Sequence, residues 1–174
     1  MLVIIAGRPG SGKTTLARIL AAGIRCPLIS RDEIKEGYIN TVNKEHAKIT
    51  KEENIQIYET FFNTIELLLD NNITIIAEAA YQHKLWQPKF EVLREKSDIK
   101  IIVCKTDPDL AYNRFLERKN KDAQREYFHG DAAAADEYVL YEAPQFPVPL
   151  LEVDTTNEYR PDLSEIIFFA WRSK

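Results

Sequence analysis

The chain is poor in cysteine, methionine and glycine, with 2, 1 and 6 of them among its 174 residues. Cys26 and Cys104 stand far apart and near no pair of histidines, so there is neither a disulfide framework nor a zinc-ligand pattern, and both read as free, buried thiols. Long apolar runs are also missing. No stretch approaches the roughly 18 residues that a bilayer-spanning helix needs, and the first apolar run is too short and wrongly flanked for a signal peptide. A cytoplasmic protein with no membrane partner is therefore expected. Positive charge is not in excess: the formal net charge is −4, which argues against non-specific adhesion to long nucleic acid and leaves room only for a local basic groove. Internal repeats, low-complexity tracts and linkers are absent from the sequence. What is present is 45% hydrophobic residues, enough at this length to bury a core without covalent staples, so residues 1–174 read as one domain.

The few glycines are concentrated. Gly7-Arg8-Pro9-Gly10-Ser11-Gly12-Lys13-Thr14 fits the spacing G-x-x-x-x-G-K-[ST] and follows the run Leu2–Ala6, which reads as a buried strand. After it, the segment Thr14 to Ala22 carries good helix formers and apolar Leu16, Ile19 and Leu20. Strand, glycine loop and helix in that order form a phosphate cradle, in which successive backbone N–H groups converge on oxygen anions and glycine at 10 and 12 clears the approach. The segment Gly7–Thr15 is thus expected to wrap a nucleotide. The Lys13 ammonium reaches the β- and γ-phosphates, the Thr14 hydroxyl holds Mg²⁺, and the helix dipole adds to the attraction. Mg-NTP is the expected ligand.

Further apolar runs at Pro27–Ile29, Ile73–Ala77, Ile99–Cys104 and Leu150–Val153 alternate with amphipathic or polar segments, the pattern of a parallel sheet with helical crossovers. Ile55, Tyr58, Phe61, Phe62, Ile65, Leu68 and Leu69 recur at helical spacing, so Lys51 to Asp70 is expected to be a long helix packed on that sheet. Crossovers between parallel strands are right-handed and ligands bind beyond the strands' carboxyl ends, so functional residues are sought just after each strand.

After the second run, Ser30-Arg31-Asp32-Glu33-Ile34-Lys35 places Asp32 where a carboxylate could face the γ-phosphate, which makes it the candidate base. An ordinary carboxylate pKa near ~4 suffices, because a loose phosphoryl-transfer transition state asks more of positioning than of basicity. Capping of the next helix is the plainer role open to Ser30 or Asp32. Arg31 and Lys35 read equally as partners for an acceptor phosphate or carboxylate and as solvated charges. The third run ends in Glu78, which could bind a metal-bound water or the substrate, or could cap a turn or pair with a lysine. Tyr81, Gln82, His83 and Trp86 follow as lining for an acceptor pocket or as packing. Asp107-Pro108 then starts a helix in which Arg114, Arg118 and, if it persists, Lys121 and Arg125 share one face opposite Tyr112, Phe115 and Leu116. Such a stripe is either a solvated face or a lid that brings arginines onto transferring phosphate, and a mobile lid over roughly Lys119 to Asp136 is expected.

Together these segments resemble the P-loop small-molecule and nucleic-acid kinases of AAA type, in particular those allied to zeta-toxin and to the kinase domain of phage-type polynucleotide 5′-kinase. The resemblance spans nearly the whole chain and is most specific at Gly7–Thr15 and at Leu28-Ile29-Ser30-Arg31-Asp32-Glu33. It implies a three-layer α/β/α P-loop NTPase fold with a five-stranded parallel sheet and a helical lid, and transfer of the γ-phosphate of Mg-ATP to a hydroxyl acceptor. By the same resemblance Asp32 activates the acceptor, Lys13 and Thr14 contact phosphate and Mg²⁺, Arg118 and Arg125 are lid arginines, Arg114 stacks on adenine, and Val153-Asp154-Thr155 forms the turn near the base. Lys35 departs from the polynucleotide kinases, whose pattern has there an arginine on the acceptor phosphate. A small molecule is accordingly the preferred acceptor over a 5′-hydroxyl polynucleotide end; the sequence does not fix the oligomeric state.

Two other classes share the loop. A GTP-dependent switch would need N-K-x-D, but in Asn120-Lys121-Asp122 the aspartate comes one residue early, and no D-x-x-G follows the third strand. An ATP-binding regulatory module without transfer chemistry would leave Asp32 and the lid arginines with structural roles.

Overall fold

The computed structural model describes residues 1–79, 83–130, 141 and 143–172, with the backbone alone for His83 and Lys84. Five strands alternate with helices in chain order: β1 (Leu2–Gly7), α1 (Lys13–Ile24), β2 (Leu28–Ser30), α2 (Arg31–Val42), α3 (Lys51–Asp70), β3 (Ile75–Glu78), α4 (His83–Lys96), β4 (Ile99–Lys105), α5 (Pro108–Lys121), α6 (Arg125–His129), β5 (Leu150–Asp154) and α7 (Leu163–Trp171). A single 3-10 turn at His46–Lys48 links α2 to α3. Every strand pairing is parallel and the order is β2-β3-β1-β4-β5. This is the expected five-stranded P-loop arrangement.

β1 lies in the middle and is buried along its whole length, so its alternate side chains feed two cores. Leu2, Ile4 and Ala6 pack with Phe61, Phe62 and Ile65 of α3 and with Trp86, Phe90 and Leu93 of α4. Val3 and Ile5 face Leu16, Ala17 and Leu20 of α1 and Ile166 and Ala170 of α7. Helix, sheet and helix thus form three layers. The sheet borders are short or covered: β2 has three residues, and Asp154 at the end of β5 forms an antiparallel bridge with Arg160.

The long helix falls on Lys51–Asp70 as expected, opened by a capping box in which Thr50 and Glu53 satisfy each other's backbone N–H groups. Its buried stripe is Ile57, Phe61, Phe62, Ile65 and Leu69, while Ile55 is 51% exposed. Two residues along a helix turn the chain by about 200°, so once Ile57 faces the sheet Ile55 faces away. Trp86 is 1% exposed and meets Phe61 and Phe62 edge-on with ring centres 5.8 and 5.1 Å apart. It is packing rather than pocket lining; Tyr81, Gln82 and the side chain of His83 lie outside the described residues. Both cysteines are free, Cys104 buried and Cys26 only partly so. Among the described residues no helix is long and apolar enough to cross a membrane.

Phe61→Ala should cost about 3–5 kcal/mol, because it removes a whole ring from the centre of this cluster. Urea unfolding followed by tryptophan fluorescence measures the loss, and a change below about 1 kcal/mol would refute the packing described.

Candidate nucleotide and acceptor site

Helices α2, α3, α5 and α7 are each capped by a side chain, Ser30, Thr50, Asp107 and Asp162 respectively. Helix α1 is not. Its N-cap is Gly12, which has no side chain to offer, and no acidic residue stands in its first turn. Its leading amides are therefore not capped by a side chain of the loop. The glycine at 10 meets a constraint that the sequence does not disclose. Gly10 has φ +79° and a Cβ there would lie 1.9 Å from the Ala111 carbonyl oxygen, so a glycine is also required for the close approach of α5. The loop is braced from behind by Thr155, whose Oγ1 donates to the carbonyls of Ser11 at 2.7 Å and Lys105 at 3.0 Å.

Beneath the loop sits the carboxylate of Glu78, 2% exposed. Its Oε1 accepts from Thr14 Oγ1 at 3.2 Å and lies 3.7 Å from Lys13 Nζ, and its Oε2 accepts from Ser30 Oγ at 3.1 Å. Of the roles left open for Glu78, pairing with a lysine is realised, and that lysine belongs to the phosphate loop. Nearby Cys104 offers no nucleophile, since burial pushes its thiol up to about 12 against the weaker opposing effect of Lys13.

Ser30 is also the N-cap of α2, accepting from the Glu33 amide at 3.5 Å. Capping therefore falls to Ser30 and leaves Asp32 for other work. The Asp32 side chain is 43% exposed. Partial burial works to raise its pKa, but the positive charges of Lys13, Arg31, His129 and Lys35 outweigh it and hold the carboxyl below the usual carboxylate range. Arg31 and Lys35 are not solvated. Arg31 donates to Asn54 Oδ1 at 2.7 Å and stacks over the Tyr58 ring at 4.4 Å, and Lys35 is 3% exposed.

On the other side of the α1 start, a cleft of about 390 Å³ is lined by Gly10, Gly12, Lys13, Thr14, Thr15, Arg114, Glu117, Arg118, Lys121, Thr155, Asn157 and Tyr159. Three cations of the basic stripe therefore do converge on the phosphate loop. Arg114 is fixed against the turn after β5, donating to the carbonyls of Thr155 at 3.0 Å and Thr156 at 2.6 Å. Arg125 does not continue the stripe. Helix α5 stops at Lys121, where Asp122 turns extended and accepts from the Gln124 amide at 2.9 Å, and Arg125 opens α6. α6 packs on α2 and the 3-10 turn, with His129 Nε2 and Glu36 Oε1 2.8 Å apart. The remainder of the expected lid, 131–136, lies outside the described residues. Asn157, Tyr159, His46 and His129 were not singled out in the sequence, which carries no local signal for them because each reaches the crevice through tertiary packing alone.

These features define a protein of P-loop kinase fold. Residues 2–140 match the model of the AAA_33 family, described as an AAA domain, and the chain belongs to that family. It is similar to a Pyrococcus furiosus protein provisionally named an adenylate kinase, at 27% identity over 91% of this chain and 77% of that protein. A crystal structure of a provisionally named kinase from Chloroflexus aurantiacus J-10-fl is also similar, with 27% identity, a TM-score of 0.81, and 95% of this chain and 94% of that one covered. Kti12 from Chaetomium thermophilum, solved with ADP-AlF3, shares the fold at 16% identity and a TM-score of 0.72, covering 98% and 97% of the two chains.

Glu78→Ala should destabilise the nucleotide-free protein by about 3–5 kcal/mol, because it strands a buried ammonium together with two hydroxyl donors. Chemical denaturation tests this, and a loss under about 1 kcal/mol would show that the carboxylate is not the counter-charge of the loop.

Proposed function

We propose that the chain is an ATP-dependent phosphotransferase that moves the γ-phosphate of Mg-ATP to a hydroxyl of a small-molecule acceptor. The observation that carries this reading is the placement of Asp32, a carboxylate kept ionised by neighbouring basic side chains, first among them the phosphate-loop Lys13. Base and donor machinery thus share one crevice. In this reading the amides of Gly10–Thr15 and the Lys13 ammonium hold the β- and γ-phosphates, Arg118 stabilises charge on the transferring group, and Arg114 with the turn after β5 borders the base. The hydroxyl and carboxylate of Thr14 and Glu78, 3.2 Å apart, are the hard oxygen donors that suit Mg²⁺, which when bound would neutralise phosphate oxygens. Asp32 orients the acceptor hydroxyl and takes its proton as the new oxygen–phosphorus bond forms; the bond to the bridging oxygen breaks, and ADP and a phosphomonoester leave.

Incubation with γ-labelled ATP and a panel of sugars, hydroxy acids, nucleosides and 5′-hydroxyl oligonucleotides tests the proposal. Label should pass to a small molecule, and release only as free phosphate would favour the regulatory alternative. Asp32→Asn should leave ATP affinity intact and slow transfer roughly 10²-fold or more, because one positioned proton acceptor is lost. Equal rates would return Asp32 to a structural role.

The depressed pKa of Asp32 also sets a pH dependence. A base already ionised below the ordinary value of about 3.9 loses no activity through protonation between pH 5 and 8, so the acid limb of kcat/KM should fall below about pH 4. A limb near pH 6 that disappears in Asp32→Asn would contradict the electrostatic environment described.

A further inference from the structure

The acceptor side of the crevice contains two buried nitrogens without a hydrogen-bond partner among the described residues, Arg31 Nε and His46 Nδ1. Folded proteins rarely tolerate such atoms, because each forfeits its hydration without return, and those that persist call for a missing partner. The rest of the Arg31 guanidinium is accounted for by Asn54, Asp32 and the face of Tyr58. His46 stands on the 3-10 turn with its ring pressed against the end of α6. A Cβ on Gly130 would lie 2.0 Å from His46 Cδ2, so only glycine at 130 lets the ring occupy this place. Burial first, then the charges of Lys35, Arg31 and His129, push the His46 imidazole below its ordinary pKa, with Glu126 opposing. Lys35, Arg31, His129 and His46 thus lie around one region, with the carboxylates of Asp32, Glu36 and Glu126 at its border. Two orphan nitrogens flanked by the Arg31 and Lys35 cations suit an oxyanion, which accepts from both.

We infer that the acceptor is itself an acid, a hydroxyl compound carrying a carboxylate or a phosphate, and that this anion docks on Arg31 Nε and His46 Nδ1 while Asp32 addresses the hydroxyl. The inference rests on the kinase reading above and narrows its acceptor class. Neutral sugars and uncharged nucleosides offer these donors no charge-assisted hydrogen bond and are poorer acceptors. His46 takes the Nδ1–H form in the complex, so the oxyanion accepts from two donors at once.

The chain has 3 histidines, which makes their ring resonances easy to resolve by NMR. The full-length protein is first saturated with Mg²⁺ and a non-hydrolysable ATP analogue, so that the phosphate loop is filled. Inorganic phosphate and acetate are then titrated separately at constant pH and ionic strength, with chloride as control. The resonances of His46, assigned by their loss in His46→Ala, should shift saturably with phosphate or with acetate but not with chloride, and the preferred ion tells a phosphomonoester from a carboxylate acceptor. In His46→Ala the affinity for that ion, followed through His129, should fall at least tenfold. His46→Asn, which sets an amide near the place of Nδ1 and keeps more of the bulk, should recover it to within about threefold, and it carries the test if the alanine variant does not fold. Identical responses to all three ions, or an affinity untouched by both substitutions, would overturn the inference. Failure of the analogue to bind would instead count against the kinase reading and is seen before any anion is added.

Discussion

One buried carboxylate sets the distance between the two halves of the crevice. Glu78 ends β3, the strand that lies between β1 and β2, and each of its oxygens takes a hydroxyl from a different neighbour, Thr14 at the start of α1 and Ser30 at the start of α2. A charge this deeply buried is tolerable only when its oxygens are satisfied. Satisfying them fixes the phosphate loop relative to the β2–α2 junction, and Asp32 stands two residues beyond that junction. The proposed donor site and the proposed base are therefore registered by a single side chain.

A second brace joins the loop to the far side of the sheet. Thr155 holds the Ser11 carbonyl, and the same turn after β5 supplies the carbonyls that grip Arg114. The region proposed for the base and the cradle for the phosphates thus form one hydrogen-bonded block. The acceptor side is built otherwise, from α2, the 3-10 turn and α6, which meet through the His129–Glu36 contact and the seat of His46 on Gly130. With the proposed nucleotide block hydrogen-bonded together and the proposed acceptor wall assembled separately, the acceptor could change while the donor stays the same.

What could be read in the sequence was what local chemistry dictates. The glycine loop, the five apolar runs, the span of α3 and the position of Asp32 just past a strand follow from periodicity and spacing, and each stands where it was expected. The departures come from tertiary contacts that no window of residues contains. Ile55 matched the helical period but lost its place once Ile57 faced the sheet. Arg125 kept the spacing of the basic stripe, yet Asp122 ended the helix before it. Gly10 fits the loop spacing, but its close approach to the α5 backbone is visible only in the fold. His46 and His129, isolated in the sequence, come together only because α6 folds back over α2.

The borders of the sheet carry a consequence of their own. Unpaired main-chain amides along a long, flat rim would invite a strand from another molecule, the first step towards fibril growth. Here one rim is the three residues of β2, and at the other Arg160 already exchanges two hydrogen bonds with Asp154. Among the described residues the rims open to intermolecular β-pairing are thus short, three residues at β2 and the stretch of β5 before Asp154.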